Sequence, residues 1–462
     1  MIKHQSRTGQ STLEVMVALS ILVVCSVALI TVVFGNQFMA QYAGQQHDAL
    51  RVSQEYIEQA KAFAQNNFDA LGSSTTSNSG YTNELMVEQI DFLTKKLTSR
   101  TTWYVSPGRT SNVELVSIIT NWRSLLPDDG TGPGEDPTGE WQCPITAGTV
   151  DLGPGNQGTD IVIKDTTVFI SGVASASAKP DIYTIDVSDI YSPSEISNIN
   201  TGKGINSLAI NGNYLYAAQN DTANQLQIID VSNPGAMLLV SSTTLVSSNK
   251  PGLSIFEYKH YVYIGTEFGT GNELQIFDVS NPQTPVPIAG LNLNMNINDI
   301  YIFDDRAYLA TSGFNQELAV VDVSNPNAPT QIDSFDCASQ CSGSTQGMSV
   351  FAPNTNDIFL GTNSQLVKLS ASTTPIQVQG QYNANGAVYD TYARGYLSFL
   401  ANSNSNKELQ IAHIATTSPY LYSSLNFPQM ATGVTYRDNV VYTSVRSNDA
   451  LRIITSGAPP CP

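Results

Sequence analysis

The nine-residue stretch LQIIDVSNP at residues 226–234 returns as LQIFDVSNP at 274–282 and as LAVVDVSNP at 318–326. The first residues of successive copies are 48 and 44 positions apart (226 to 274 and 274 to 318). Each copy is a run of apolar and β-branched residues that ends in Asp-Val-Ser-Asn-Pro, which is typical of a strand followed by a turn. The stretch therefore predicts an internal repeat built from β-strands.

Two independent series indicate seven repeats. Weaker copies of the motif begin at Ile182, Leu366, Leu409 and Leu451. Every copy follows a predicted hairpin, whose turns are at Asp165, Asn211-Gly212, Lys259-His260, Asp304-Asp305, Asn356-Asp357, Arg394-Gly395 and Asp438-Asn439. Asn-Gly is the strongest of these short-range hairpin signals. In the clearest repeat we expect four strands, at Ile205–Ile210, Tyr214–Ala218, Leu226–Val231 and Met237–Leu245.

A repeat of this length with four short strands has the size of one β-propeller blade. We therefore expect residues 143–462 to form an all-β, seven-bladed propeller, because a lone blade cannot bury both of its faces. The motif is similar to the LVIVD repeat of surface-protein propellers, which implies the same fold. The last repeat stops near Ser456, one strand short, and Ile145–Leu152 has the composition of the missing strand.

The cysteines fit this closure. Cys143 and Cys461 would lie at the same seam, so a disulfide between them would hold the circle shut. A second disulfide, between Cys337 and Cys341, would stabilise an insertion at residues 337–344. Cys25 lies in an apolar segment near the N-terminus. Outside the cytosol, these four cysteines could form two disulfides.

Upstream of the repeats, Pro127–Gly139 reads PDDGTGPGEDPTG, and we assign residues 126–142 to a linker. β-Branched and aromatic residues on both sides of Ser106–Arg109 predict a β-hairpin over about 93–123. The Ser/Thr/Asn/Gly-rich segment 72–80 is interpreted as a loop. Before it, apolar residues at helical spacing without proline predict one helix over about 12–70.

The first part of that helix, residues 12–35, is hydrophobic enough and long enough to cross a bilayer. Lys3, His4 and Arg7 precede it, and positive charge favours a cytoplasmic N-terminus. Glu14 is the unexpected residue, because a carboxylate at the edge of an apolar run costs on the order of 2–3 kcal/mol. A secretory signal would have a shorter core, and a plain anchor would not explain Glu14.

Gly9-Gln10-Ser11-Thr12-Leu13-Glu14 followed by the apolar run resembles the class III signal of type IV prepilins and pseudopilins. The resemblance implies that residues 1–9 are a leader cut after Gly9, that Gln10 becomes the methylated N-terminus, and that Glu14 pairs with a neighbouring subunit's N-terminus. Gln10 stands where the family usually has an aromatic residue or Met, which favours a minor subunit. It also implies an α+β pilin-like domain at residues 10–125, with the outer half of the helix packed on a small sheet.

The composition and the motifs argue against several classes of function. The net charge of −18 argues against a nucleic-acid partner. The sequence contains no HExxH, GxSxG, phosphate-binding glycine loop or calcium loop, and its four histidines have no metal-ligand spacing. We expect no cofactor, no metal and no enzymatic activity. The recurring aspartates are interpreted as structural turn residues; they are Asp186, Asp230, Asp278 and Asp322.

Together these features predict a type IV pilin-like subunit that displays an extracellular propeller for adhesion or for binding a protein or glycan. Its expected partners are other pilin subunits, prepilin peptidase, the inner membrane before assembly and an extracellular ligand. It would be a single-pass bacterial membrane protein before it enters a cell-surface fibre. The alternatives are a membrane-tethered propeller enzyme and a scaffold subunit of a type II secretion pseudopilus.

Overall fold

The structure is a computed structural model that describes residues 10–67, 71–78, 80–91, 94–106, 108–120, 136–174, 178–246, 248–313, 315–337, 341, 346–415 and 417–457. The chain forms two compact units, residues 1–126 and residues 127–462. Each unit has its own secondary structure and is described separately. The predicted leader, residues 1–9, lies outside the described residues.

A single helix, α1 (Gln10–Asn67), spans 58 residues of the first unit. At about 1.5 Å per residue it is far longer than a bilayer crossing requires. Its segment Val15–Phe34 has a mean hydropathy of 2.9 and is not buried by any described residue, so it is long and apolar enough to cross a membrane. The prediction of a long N-terminal helix is confirmed; residues 68–70, where it was expected to end, lie outside the described part.

The outer half of α1 packs on a four-stranded antiparallel meander. Its strands are β1 (Ser74–Asn78), β2 (Tyr81–Asp91), β3 (Thr94–Ser106) and β4 (Arg109–Thr120). Ala60 of the helix joins a buried cluster with Leu85 and Leu97 of the sheet. About two turns earlier in the helix, Ser53 shares a buried hydrogen bond of 2.6 Å with Thr101 of β3. Apolar packing and hydrogen bonds therefore join the helix to the sheet.

The hairpin expected at 93–123 corresponds to β3 and β4. The interpretation of residues 72–80 as a loop was wrong, because Ser74–Asn78 is an edge strand paired in register with β2. All five side chains of β1 are exposed. An edge strand with no buried face carries no apolar alternation, so its composition is the same as that of a polar loop.

The second unit is all-β in its described residues. Its strands are β5 (Glu140–Asp151), β6 (Asn156–Lys164), β7 (Thr167–Ala174), β8 (Ile182–Asp186), β9 (Ser194–Ile199), β10 (Ile205–Asn211), β11 (Tyr214–Gln219), β12 (Leu226–Asp230), β13 (Leu238–Thr243), β14 (Gly252–Tyr258), β15 (Tyr261–Thr266), β16 (Leu274–Asp278), β17 (Val286–Leu291), β18 (Ile297–Phe303), β19 (Arg306–Gly313), β20 (Gln316–Asp322), β21 (Thr330–Phe335), β22 (Gly347–Phe351), β23 (Ile358–Thr362), β24 (Gln365–Ser370), β25 (Gln377–Asn383), β26 (Val388–Arg394), β27 (Leu397–Asn402), β28 (Leu409–His413), β29 (Tyr420–Leu425), β30 (Ala431–Arg437), β31 (Val440–Val445) and β32 (Asp449–Gly457).

These strands form four-stranded antiparallel sheets of consecutive strands. In chain order we number them sheet 1 (β6–β9), sheet 2 (β10–β13), sheet 3 (β14–β17), sheet 4 (β18–β21), sheet 5 (β22–β25), sheet 6 (β26–β29) and sheet 7 (β30–β32 with β5). The repeated LQIID-type sequence is the third strand of its sheet, and the side chains of Leu226 and Ile228 are fully buried. Buried neighbours on both faces explain why four consecutive residues of this strand are buried instead of every second one.

Sheet 7 is assembled from both ends of the unit. β5 pairs antiparallel with β32, as the composition of Ile145–Leu152 predicted. β5 begins at Glu140, however, so the last residues of the predicted linker belong to this sheet. Trp141 is fully buried, and its ring contacts Phe399 edge-on at 5.0 Å. The sequence analysis placed residues 140–142 in the linker because prolines and glycines precede them. Burial of Trp141 instead makes these residues part of the strand.

The first strands of the sheets lie side by side. Each contacts the first strand of the next sheet, in the order β6, β10, β14, β18, β22, β26 and β30, and β30 in turn contacts β6. The first strands therefore surround a common central space, and the fourth strands lie at the outside of the unit.

Candidate functional site: the central channel

The first strands are joined to one another by side chains that bond to the neighbouring backbone. Each of these strands has a bulge or register shift near its start, which turns a polar side chain toward the next sheet. The contacts, from sheet 1 around to sheet 1 again, are Thr159 Oγ1 to Ile205 O (2.5 Å), Asn206 Nδ2 to Gly252 O (2.6 Å), Ser254 Oγ to Ile297 O (3.0 Å), Asn298 Nδ2 to Gly347 O (2.6 Å), Ser349 Oγ to Val388 O (2.9 Å), Val434 N to Asp390 Oδ2 (2.7 Å) and Thr432 Oγ1 to Gly158 O (3.0 Å). Each neighbouring pair of first strands thus has at least one such bond.

Three aspartates accept backbone N–H groups with both of their carboxylate oxygens. We call Asp160, Asp299 and Asp390 the channel aspartates. In each, Oδ1 accepts the N–H of the next residue in its own strand, at 2.7–2.8 Å. Oδ2 accepts an N–H of the neighbouring sheet at 2.7–2.8 Å; the donors are Leu208, Val350 and Val434. The carboxylates thus satisfy backbone donors that the bulges remove from the sheet ladders.

Burial raises the pKa of Asp160 to about 6 and that of Asp299 to about 7, and it raises the pKa of Asp390 well above its usual value. The backbone N–H groups oppose this shift because they stabilise the charged form. Repulsion from Asp160 adds to the rise for both Asp299 and Asp390. Repulsion from Asp299 also raises the pKa of Asp390.

The channel is a cavity of about 900 Å³ lined by the first strands of all the sheets. Beside the channel aspartates, its wall carries aromatic side chains; among them Phe256, Tyr301, Phe351 and Tyr392, from four consecutive sheets, are called the channel rings. The centroids of neighbouring rings are 5.2, 5.0 and 4.7 Å apart in that order. They form a continuous aromatic arc on sheets 3 to 6, and Tyr436 of sheet 7 continues it at 5.8 Å from Tyr392.

The charged side chains at the hairpin end of the channel have partners on neighbouring sheets. Lys259 Nζ lies 2.7 Å from Asp305 Oδ1, and Arg437 Nη2 lies 3.6 Å from Asp165 Oδ1. Lys164 donates to Asn213 Oδ1 at 3.0 Å. The cations that line this cavity are therefore directed at surface partners.

The four recurring aspartates predicted from the sequence cap turns and lie away from the channel. Each accepts the backbone N–H of the serine two residues later at 2.8–2.9 Å; they are Asp186, Asp230, Asp278 and Asp322. These hydrogen bonds hold the pKa of each carboxyl below its usual value. Within the described residues, no group of three or more His, Cys, Asp or Glu side chains is arranged to hold a metal ion.

The predicted processing residues lie at the start of α1. Gly9 is outside the described residues, and Gln10 and Glu14 are described only as helical backbone. Their predicted roles in cleavage, methylation and subunit assembly remain predictions. Among the cysteines, Cys337 and Cys341 form the expected disulfide, with Cα atoms 5.0 Å apart. Cys143 is disulfide-bonded, and Cys461 lies outside the described residues.

Sequence reasoning missed the channel aspartates and the channel rings. The available signal was the segment just before each predicted hairpin turn, which reads TDIVI, NDIYI and YDTYA where an aspartate is present. The corresponding segments NSLAI, LSIFE and MSVFA carry serine at the same point. A polar pair ahead of an apolar strand is too common to mark a site, and only the packing of sheets shows that these positions converge.

Comparison with known proteins supports the fold. The LVIVD repeat family matches residues 205–244, 255–289 and 296–337, which correspond to sheets 2, 3 and 4. No curated protein matches the chain significantly. Among solved structures, the WD40 β-propeller domain of Doa1 is similar with a TM-score of 0.51 at 13% identity, over 68% of this chain and 97% of that chain.

A catalytically inactive virginiamycin B lyase from Staphylococcus aureus, solved with quinupristin, is similar with a TM-score of 0.51 at 14% identity, over 67% of this chain and 98% of that chain. At such identities the likeness shows the fold alone. The second unit is therefore a β-propeller domain that carries LVIVD repeats, and it follows a unit with an apolar N-terminal helix.

Proposed function

We propose that this chain is a type IV pilin-like subunit, of the minor-pilin or pseudopilin kind, that displays a closed seven-bladed β-propeller outside the cell as a binding module. The observation that carries the proposal is the first unit: a 58-residue helix whose first part is exposed and apolar and whose outer half is buried against a four-stranded sheet. A simple membrane anchor needs only the apolar part.

The residues at the start of the helix support the same role. Glu14 follows Gly9 at the spacing of the prepilin signal, immediately before the apolar segment that begins at Val15. In a fibre, the apolar segments would pack together, and the Glu14 carboxylate would pair with the N-terminal amine of a neighbouring subunit. That pairing would offset the cost of keeping a carboxylate in an apolar core.

Closure of the propeller into seven blades is supported by the sheet order. Sheet 7 combines the last three strands of the second unit with its first strand, so the first and last described strands of this unit pair within one sheet. The first strands also contact one another in a cyclic order. Closing the ring packs the first and last sheets against each other, so neither leaves an apolar face exposed.

We further propose that the domain binds its ligand, a protein, a glycan or a small molecule, and catalyses no reaction. Both oxygens of each channel aspartate accept backbone N–H groups, so these acids serve the architecture of the ring. The proposed location is the inner membrane before processing and a surface fibre afterwards. The proposed partners are prepilin peptidase, other pilin subunits and the extracellular ligand.

Mass spectrometry of the N-terminal peptide from sheared fibres tests the proposal. We expect a peptide that begins at N-methylated Gln10 and is recovered in the fibre fraction. A protein found only in membranes with residues 1–9 still attached would refute the pilin role and leave a membrane-tethered propeller, for which activity screens would follow. Recovery that depends on a type II secretion system would assign the chain to a pseudopilus scaffold.

A further inference from the structure

The sheet of the first unit ends in two different edge strands. At one end, β1 is 5 residues long and entirely polar, and short polar edge strands resist pairing with other chains. At the other end, β4 is 12 residues long, contains no lysine or proline, and pairs with β3 without a register shift from Thr110 to Thr120. Among the described residues, no strand pairs with its free side. β4 therefore lacks the features by which natural sheets block edge-to-edge pairing.

Apolar side chains of β4 are incompletely covered on both faces of the sheet. On the outer face, Val116 and Ile118 are 59% and 63% exposed. On the inner face, toward α1, Val113, Leu115 and Ile119 are half-buried, whereas the β3 residues opposite them are buried. Apolar surface therefore continues to the free edge on both faces.

The chemistry of this edge identifies what can cover it. Backbone N–H and C=O groups of an edge strand point away from the sheet, and another extended backbone bonds to them in register. Because β4 has apolar side chains on both faces, the incoming strand must also be apolar on both faces. A lipid or detergent could cover Val116 and Ile118, but it would leave the backbone groups unpaired.

We propose that the free edge of β4 binds an extended segment of another protein, which adds a fifth strand to the sheet. The segment would be about 5–6 residues long, as strands usually are. This surface is separate from the apolar segment of α1, through which fibre assembly is proposed.

A second copy of this chain in the same membrane does not fit antiparallel pairing at this edge. Two β4 strands paired in that way are related by a two-fold axis normal to the sheet. The axis reverses the direction of α1, which packs across the sheet. The apolar segments of the two copies would then point in opposite directions, so they could not enter one membrane together.

A peptide with the sequence of residues 112–120, NVELVSIIT, is a suitable probe because it is apolar on both faces. Antiparallel to β4, it can place its copy of Ile118 opposite Val116 and its copy of Ile119 opposite Leu115. Both faces then gain apolar cross-strand pairs. The control peptide carries Leu115→Pro and Ser117→Pro, since proline cannot donate to a strand ladder.

Fluorescence anisotropy of the labelled peptide with the full chain in neutral detergent tests the inference. We expect saturable binding that Val116→Lys in the chain weakens by about tenfold, because lysine on an edge strand opposes pairing. Thr82→Lys is the matched control and should bind as the wild type, since Thr82 is exposed in a strand paired on both sides at that point. Hydrogen exchange locates the site: the β4 amides at the free edge should exchange rapidly in the chain alone and slowly with the peptide.

Absence of peptide binding by the folded wild-type chain would overturn the inference, and so would equal affinity in a folded Val116→Lys variant. Circular dichroism of each variant establishes that it is folded. Free-edge amides that are protected without the peptide would show that the chain itself covers the edge, which also refutes the proposal. Self-association of the full chain that Val116→Lys abolishes would assign the edge to a second copy and overturn the proposed partner.

Discussion

The side-chain Oγ1 of Thr432 lies 3.0 Å from the main-chain carbonyl oxygen of Gly158, which is 274 residues earlier in the chain. Thr432 belongs to the first strand of sheet 7 and Gly158 to the first strand of sheet 1. Their contact therefore joins the first strands of the last and the first sheets. It complements the pairing of β5 with β32 farther out.

Thr432→Val should lower the free energy of unfolding by about 1–2 kcal/mol, because valine keeps the shape of threonine and removes a partly buried hydrogen-bonding hydroxyl. Denaturant titration of the second-unit transition measures the change. Thr330→Val is the control, since Thr330 is an exposed strand residue in sheet 4. Equal effects of the two substitutions would contradict a role for Thr432 in closure.

Each Asp-Val-Ser turn should contribute modestly to the free energy of unfolding, independently of the other turns. Asp230→Ala removes the acceptor for the Ser232 N–H at 2.8 Å and should cost about 0.5–1.5 kcal/mol. Asp230→Asn keeps an acceptor oxygen and should cost less. Denaturant midpoints measure both changes. If the alanine and asparagine variants were equally destabilised, the carboxylate would not act through this hydrogen bond.

Stability should depend on pH through the channel aspartates. The folded-state pKa values of Asp160 and Asp299, about 6 and about 7, lie above the ordinary value of 3.8. The stabilisation linked to these shifts is therefore complete below pH about 4 and is lost as the pH rises through 6 to 7. We expect the free energy of unfolding to fall over this window, and Asp299→Ser to flatten the decline.

The aspartates that cap the turns, such as Asp230 and Asp278, should change the pH dependence of stability in the opposite direction. The two effects can therefore be separated. Their folded-state pKa values are lowered, so their contribution is present above the ordinary value of 3.8 and is lost as the pH falls through the lowered values. Asp230→Ala should therefore change stability at neutral pH and leave the slope between pH 5 and 8 intact. A flattened slope in that variant would contradict the assignment.

The two disulfides should differ in their contribution to stability. Cys337 and Cys341 are only 4 residues apart, so the chain-entropy account gives about 2 kcal/mol for this bridge. The predicted bridge between Cys143 and Cys461 closes a far longer loop and should contribute about 4–5 kcal/mol. Thermal unfolding of the double Cys→Ser variants compares them. A larger loss for the short bridge would contradict the predicted role of the long one.

Glu14→Gln should sharply reduce incorporation into fibres while the chain still inserts in the membrane, because an amide cannot form the proposed ion pair. Glu55→Gln, at an exposed position on the same helix, is the matched control. Immunoblots of sheared-fibre and membrane fractions measure the ratio. Wild-type levels of the Glu14→Gln variant in fibres would contradict the assembly role.

The sequence alone determined the features that are repeated or local. Three near-identical copies of an apolar strand ending in Asp-Val-Ser-Asn-Pro predicted the repeats, and the proline-free apolar run predicted α1. Asp230 and its counterparts cap turns two residues away, so their role depends on neighbours in the sequence. The segment 74–78 was missed because an exposed edge strand carries no pattern that distinguishes it from a loop.

Only the tertiary structure brought Asp160, Asp299 and Asp390 to one channel, because their positions converge through the packing of whole sheets. It also showed that Trp141 extends β5 into the predicted linker, through burial against residues more than two hundred positions away. Local patterns specify strands and turns, since these depend on near neighbours. The channel, its charge and its aromatic wall depend on contacts between repeats, which a linear pattern does not encode.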